Sequence, residues 1–573
     1  MLRRPVLFTI IALICVLLTA CQADFGIEQL GMQMAGTSES DTGGADYDIM
    51  DRGPVGGGVL KLFTTTPDTL NPVLTKNIYV ADFLDFIYES LVALDQNGRP
   101  VPALSDSWSV STDGLVWDFH IRSGVQWQDG QTLTAADVQY TFDFILNGRT
   151  DSVYKRQLQN VATYTAEDES SFKMVLRKPN SFTPETMTFP VLPAHIQAER
   201  DPAADSNFRP VGTGPFRFGS YEKDKRVVLE ANEDWWYLKS HPDGAEDMMY
   251  LKEIDVSIYN SSDDAINAFQ TGDTDAVCVN SADFNKYNGR TDLLIKKYVS
   301  RDFDFLAFNL YNPIFADVYV RKAVDAAINR NSIVRDAFRG DALAADLPVS
   351  PESWLFSDMQ KPDSMEAAPV DELLKQGGWK EKTNAPSNNG SRYYKSINGV
   401  RKDLNIEILV NSSNSSRVSV ADMICSQLKS KGIAAKVVLL GWEEMLARID
   451  ARKFDVALLG CRTTQVPDIS FLYSNSYLPA YQSLRGDVGR NVSGYSNPEV
   501  NSYIEKIFAE QSDTVKKAMF FNMKQLIEED VPYIGLYFTE NAVIYRKNVR
   551  GLLNPYVWNK YNDVTRWYKP DLQ

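Results

Sequence analysis

Residues Leu404–Gly460 read LNIEILVNSSNSSRVSVADMICSQLKSKGIAAKVVLLGWEEMLARIDARKFDVALLG, and their periodicity decides the fold class. Leu404 to Val410 is a short apolar run with the length of a strand, Val420 to Leu428 repeats apolar residues at helical spacing, and Ala434 to Leu440 is again a strand. Glu443 to Asp450 reads as a second helix and Phe454 to Gly460 as a buried strand. The order β-α-β-α-β specifies a sheet with crossover helices. Outward from this core, Val320, Val324 and Ile328 predict a helix with Arg321 and Arg330 on its solvated side. Val515, Met519, Met523, Leu526 and Ile527 predict another, followed by a strand from Pro532 to Phe538.

The N-terminal half reads as mixed α+β. Gly58 to Phe63 is a strand signal, and Phe83, Ile87 and Leu91 repeat every four residues, which predicts a helix over Val80 to Val92. Asp95-Gln96-Asn97-Gly98, Thr112-Asp113-Gly114 and Gln128-Asp129-Gly130 punctuate strand-like segments, of which Leu115 to Ile121 alternates most clearly. Thr134 with Asp137 three residues on opens a helix carrying Val138, Phe142 and Ile145. Asn384 to Gly399 reads as an exposed loop. At 573 residues the chain exceeds what one hydrophobic core serves, so two or three domains are expected.

Arg3 and Arg4, the apolar run Leu7 to Leu18, and Leu18-Thr19-Ala20-Cys21 have the layout of a secretory signal. The run falls short of the roughly 20 apolar residues of a membrane span. Its end resembles the bacterial lipobox, which implies lipid on the Cys21 thiol and cleavage before it, leaving residues 1–20 as a signal peptide. A merely buried signal cysteine, like Cys15, is the plainer alternative. Residues 21–56, rich in Gly, Ser, Thr and Asp, read as a flexible linker with a mean reach of about 30 Å.

Removing residues 1–20 takes Arg3 and Arg4 from the 59 basic residues and leaves 57 against 75 acids, a net charge of −18. Such a surface repels nucleic acid and anionic lipid, so acyl chains are the expected membrane tether. Cys278, Cys425 and Cys461 lack CxxC spacing, and His120, His195 and His241 lie far apart. Neither a zinc cluster nor a histidine triad has its material here, and no metal or cofactor is expected. G-x-S-x-G, HExxH, Walker and G-x-G-x-x-G patterns are missing, and a paired-carboxylate hydrolase has only scattered acids to draw on, so no catalytic residue is assigned. Pro210-Val211-Gly212-Thr213-Gly214-Pro215-Phe216 sets a tight backbone path before a strand, either a structural corner or a loop near a hinge.

Several pieces together resemble the extracellular solute-binding proteins of family 5, which serve peptide, nickel and related importers of the ABC class. They are Tyr88-Glu89-Ser90-Leu91, Pro102 to Trp108, Asp113-Gly114, Phe119 to Arg122, Asp129-Gly130 and Thr134 to Val138. Val211 to Phe216, Val320 to Val324 with Asn329-Arg330, Gly377-Gly378-Trp379 and Asn491 to Val500 continue the pattern. The resemblance implies a two-lobed periplasmic-binding-protein-like fold of type II with an inserted domain. Carried onto this chain, lobe I is 57–93, 183–308 and 535–573, the insert is 94–182, and the far lobe is 309–534. It also implies a monomer that captures a small molecule or peptide and delivers it to an ABC permease and its ATPase. A peptide-pheromone receptor and, more remotely, a secreted hydrolase are the rival readings.

Peptide-binding members carry a Gly-Trp pair and then an aspartate for the ligand's α-amine after the strand equivalent to Phe454–Gly460. Cys461 stands here at the tryptophan position and Thr464 at the aspartate position, so the amine anchor is missing unless Asp468 supplies it. Arg462 suits an anionic group or an exposed surface. Trp442 corresponds to a pocket-lining aromatic, and Asn77 and Tyr79 fall on a loop expected to face the cleft. Gly212, Thr213 and Gly214 are expected at the hinge or cleft.

Overall fold

A computed structural model describes residues 54, 56–147, 151–197, 209–241, 249–281, 283–287, 289–356, 368–383, 390–477 and 491–570. Cys21, the signal segment and most of the linker lie outside them. Among the described residues no helix is long and apolar enough to cross a membrane.

The 404–460 stretch folds in the expected order. Asn405–Asn411 lies parallel to both Ala434–Leu440 and Val456–Arg462, and the crossovers are the helices Ser415–Ser430 and Trp442–Asp450. Asn414 caps the first helix by accepting from the Arg417 amide at 3.0 Å. Alternation divides the sheet between two cores. Ile406, Ile408, Val410, Val456 and Leu458 pack with Val420, Ile424 and Leu428, whereas Leu409, Ala457, Leu459 and Cys461 pack with Met445, Ile449 and Phe520.

This sheet extends antiparallel through two long strands, Leu293–Phe308 and Tyr533–Arg546, and ends on Ala276–Asn280. The two strands pass from one pair of cores to another. Tyr533, Ile534, Leu536 and Phe538 belong to the far cores, and Ala542, Val543, Ile544 and Tyr545 to the near ones. Between them the register shifts from Val299 to Phe303, and the contact becomes polar, with Ser300 Oγ 2.9 Å from Thr539 Oγ1.

The near region holds a four-stranded sheet in the order Gly58–Thr65, Leu251–Tyr259, Arg226–Ala231, Phe216–Glu222. A second, antiparallel sheet of Ser105–Val110, Val116–Ile121, Ser171–Leu176 and Val161–Ala166 carries the helix Ala135–Asn147. Phe142 of that helix stands 4.8 Å from Phe172, and Asp137 closes its first turn by accepting from the Thr134 amide at 2.9 Å. One continuous core joins these two sheets.

Three expectations are corrected. The helix predicted over 80–92 is Ile78–Leu84; beyond it the Phe86 and Ile87 carbonyls accept from the Phe216 and Gly214 amides at 3.0 and 2.8 Å, which pulls the chain out of helical register. Arg321 is not solvated. It is 6 % exposed and donates to the Phe315, Asp530 and Val531 carbonyls, because a guanidinium can bury its stem when backbone oxygens take its protons. Arg330 begins a separate helix, Arg330–Phe338, and donates to Gly535 O at 2.6 Å. Within the presumed loop 384–399, Tyr393–Ile397 pairs with Val400–Asp403 about Asn398-Gly399. Both turn residues have positive φ, as a two-residue Asn-Gly hairpin requires.

Candidate functional site

The segment following Val456–Arg462 runs beside the polar crossing of the long strands. The Thr463 amide and hydroxyl both donate to Arg301 O, at 2.8 and 3.2 Å. Gln465 Nε2 reaches Thr188 Oγ1 at 3.2 Å. Between these links is a cavity of about 50 Å³, to which Asn97, Arg301, Glu352, Thr464 and Trp558 contribute.

Arg301 is the most informative group in it. Its guanidinium lies 5.4 Å from the Trp558 ring centroid, and burial, with the positive charge of Arg462 beside it, lowers its pKa to about 10. It makes no ion pair among the described residues. Glu352, largely exposed to solvent, shares the cavity and makes no ion pair among the described residues; partial desolvation raises its carboxyl. Two opposite charges thus line one cavity without neutralising each other, and a bound molecule with complementary groups would meet both.

Three residues along the strand from Arg301, Asp304 receives a bidentate bridge from Arg417, 2.7 Å from Nη2 and 3.0 Å from Nε, and a 2.9 Å bond from Tyr537 OH. Gly460 is the cross-strand neighbour of Asp304. A Cβ at Gly460 would sit 1.9 Å from Arg417 Nη2 and 2.2 Å from Asp304 Oδ1, so only glycine fits over this pair.

The site residues expected from sequence are distributed unevenly. Thr464 lines the cavity and donates to Val466 O at 2.9 Å. Arg462 is exposed at the strand end, near Arg301. Asp468 accepts from the Ser470 amide at 2.8 Å and opens the short helix Ser470–Tyr473. Trp442, 46 % exposed, begins the helix Trp442–Asp450 and is outside the cavity lining. Asn77 caps Ile78–Leu84 while donating to Thr65 Oγ1 at 2.8 Å, and Tyr79 stands 5.3 Å from Phe63; neither lines the cavity. Gly212, Thr213 and Gly214 are also apart from it. A Cβ on Gly212 would fall 1.8 Å from Ile87 O, and Gln128 Oε1 accepts from the Gly212 amide at 3.0 Å, so the turn is pinned against the segments of Ile87 and Gln128. Cys278, Cys425 and Cys461 are free thiols, and burial pushes that of Cys461 up to about 12.

Sequence reasoning missed Arg301, Glu352 and Trp558. One signal was present for Arg301: Ser300-Arg301-Asp302 interrupts a strand that is otherwise apolar toward its end.

Residues 99–482 match the profile described as bacterial extracellular solute-binding proteins, family 5 Middle. The chain belongs to this family. Among its relatives, the oligopeptide-binding protein AppA of Bacillus subtilis is 25 % identical over 518 residues, covering 88 % of this chain and 90 % of AppA. Among solved structures, the family 5 fold is matched by MppA, a periplasmic murein tripeptide binding protein in its unliganded open form. That match has a TM-score of 0.73 at 18 % identity and covers 90 % of this chain and 98 % of MppA. NikZ from Campylobacter jejuni, in complex with Ni(L-His), gives a TM-score of 0.63 at 24 % identity over 90 % and 99 % of the two chains. The mixed α/β architecture of this family 5 solute-binding protein is therefore that of the two-lobed binding proteins.

Proposed function

We propose that this protein is the capture subunit of an ABC-type importer, a lipid-anchored monomer that takes a zwitterionic peptide or peptide-like solute between two lobes and delivers it to a permease driven by a cytoplasmic ATPase. The observation that carries the reading is the cavity in which Arg301 and Glu352 stand unpaired. Arg301 receives a ligand carboxylate, and Glu352 supplies the ammonium contact that Thr464 cannot make. The names of the relatives, an oligopeptide-binding protein and a murein tripeptide binding protein, support a peptide-like ligand. The polar crossing at Ser300 and Thr539 supports a junction between the lobes at that point rather than at 308/309 and 534/535, because Phe303 to Phe308 and Leu536 to Phe538 already pack in the far cores. Ligand free energy then holds the closed arrangement, about 8 kcal/mol for a micromolar ligand, with no covalent step. Cys21 keeps the trap within the linker's reach of the membrane.

Calorimetric titration with a short peptide and its N-acetylated and C-amidated forms tests the assignment. Each modification should weaken binding about tenfold or more. Arg301→Gln should abolish discrimination against the amide, and Glu352→Gln discrimination against the acetylated form. Equal affinity for all three peptides would sink the proposal.

A further inference from the structure

A second cavity, of about 350 Å³, lies where the strands Ser105–Val110 and Val116–Ile121 approach the helix Asp513–Asp530. Trp108, Trp117 and Trp354 give it flat walls. The charges in its lining satisfy one another, since Asp513 accepts from Arg99 Nη1 and Lys516 Nζ, each at 3.1 Å. In the same lining, Glu185 is 2 % exposed and Trp117 3 %. Glu185 Oε2 and Trp117 Nε1 have no hydrogen-bond partner among the described residues. Buried polar atoms are rarely left so, and one acceptor beside one donor on the same cavity is a pattern for a ligand to fill.

We infer that this cavity binds a compact, uncharged, hydroxylated ring of monosaccharide or cyclitol size. Asp513 is paired with Arg99 and Lys516, and Glu185, raised to about 7 by burial, is only partly ionised near neutral pH, so the cavity presents no strong charge of either sign to select an ion. A hydroxyl both donates and accepts, and so serves Glu185 and the Trp117 N–H together. The C–H face of a saturated ring stacks on Trp108, the half-buried indole of the three, since the Trp354 ring already carries Arg99 and Lys516 at 5.0 and 5.3 Å. The volume suits one such ring at the lower end of ligand-site sizes. The site shares Trp354 with the cleft cavity but uses neither Arg301 nor Glu352, and stands independently of the importer reading.

The full chain is titrated with glucose, ribose and myo-inositol, and with benzoate and phenethylamine as charged comparators, following tryptophan fluorescence and thermal stability. At least one of the three polyols should bind saturably and more tightly than either comparator. Glu185→Gln and Trp117→Phe should each weaken it about tenfold or more, while Arg301→Gln leaves it unchanged. Trp117→Phe keeps an aromatic wall, so it decides the matter if Glu185→Gln does not fold. No saturable polyol binding, preference for a charged comparator, equal affinity in the variants, or loss in Arg301→Gln overturns the inference.

Discussion

Gly460→Ala is expected to destabilise the far region by about 3 kcal/mol, and the figure follows from what the new methyl meets. Its carbon would stand 1.9 Å from Arg417 Nη2 and 2.2 Å from Asp304 Oδ1, so the two groups must separate by more than an ångström from where the bridge holds them. Asp304 cannot yield freely, because Tyr537 also binds it, and its side chain is only 10 % exposed. Breaking a buried pair costs about 3–5 kcal/mol. The partial exposure of Arg417, 21 %, places this case at the lower end. Urea unfolding followed by tryptophan fluorescence measures the loss. The decisive comparison is a double-mutant cycle with Arg417→Met, whose flexible thioether can step aside from the methyl. In that background the methyl still meets Asp304, but no bridge is left to break, so the extra cost of Gly460→Ala should fall to roughly half or less of its cost in the unaltered protein. If the two costs add, the pair is not what excludes a side chain at 460, and the reasoning fails.

Other expectations concern pH, exposure and attachment. Burial raises Glu89 and Glu185 to about 7. Each therefore binds its proton more tightly folded than unfolded, and the stability this contributes is lost as pH rises from about 4.5 through 7. Resistance to urea should fall across that window, by about 3 kcal/mol for each group, and Glu185→Gln should flatten the profile; a rise in stability over the same range would refute the assignment. Trp442→Ala, at an exposed helix start, should leave stability within about 0.5 kcal/mol, so abolition of a ligand-induced fluorescence change would report ligand contact and unchanged affinity would remove Trp442 from the site. Cys21→Ser should move the protein from the membrane fraction to the soluble one with ligand affinity intact, as fractionation and titration can show; continued membrane retention would count against acylation.

The alternation of Asn405–Asn411 and Val456–Arg462, and the helical spacing of Val420, Ile424 and Leu428, were legible because each records one side of an element facing a core. Local pattern also placed the Thr134–Asp137 cap and the turns at Gly98, Gly114 and Gly130, where φ is positive. It misjudged Arg321, since an apolar count has no means of knowing that four carbonyls, those of Phe315, Ala316, Asp530 and Val531, wait for a guanidinium. It also read a loop across Tyr393–Ile397, although Asn398-Gly399 carried the hairpin signal.

By itself, then, the sequence determined the order of strands and helices, the export signal as an expectation, and the family, all properties written in short-range spacing or in motif order. Only the tertiary structure decided where the unpaired charges stand. Asn97, Arg301, Glu352, Thr464 and Trp558 come from five separate stretches and meet only because the long strands cross between the cores. What makes Arg301 distinctive is loss of water without gain of a carboxylate, and desolvation is imposed by neighbours remote in the chain. The same holds for Gly460, whose lack of a side chain acquires its meaning from Asp304 and Arg417 folding over it.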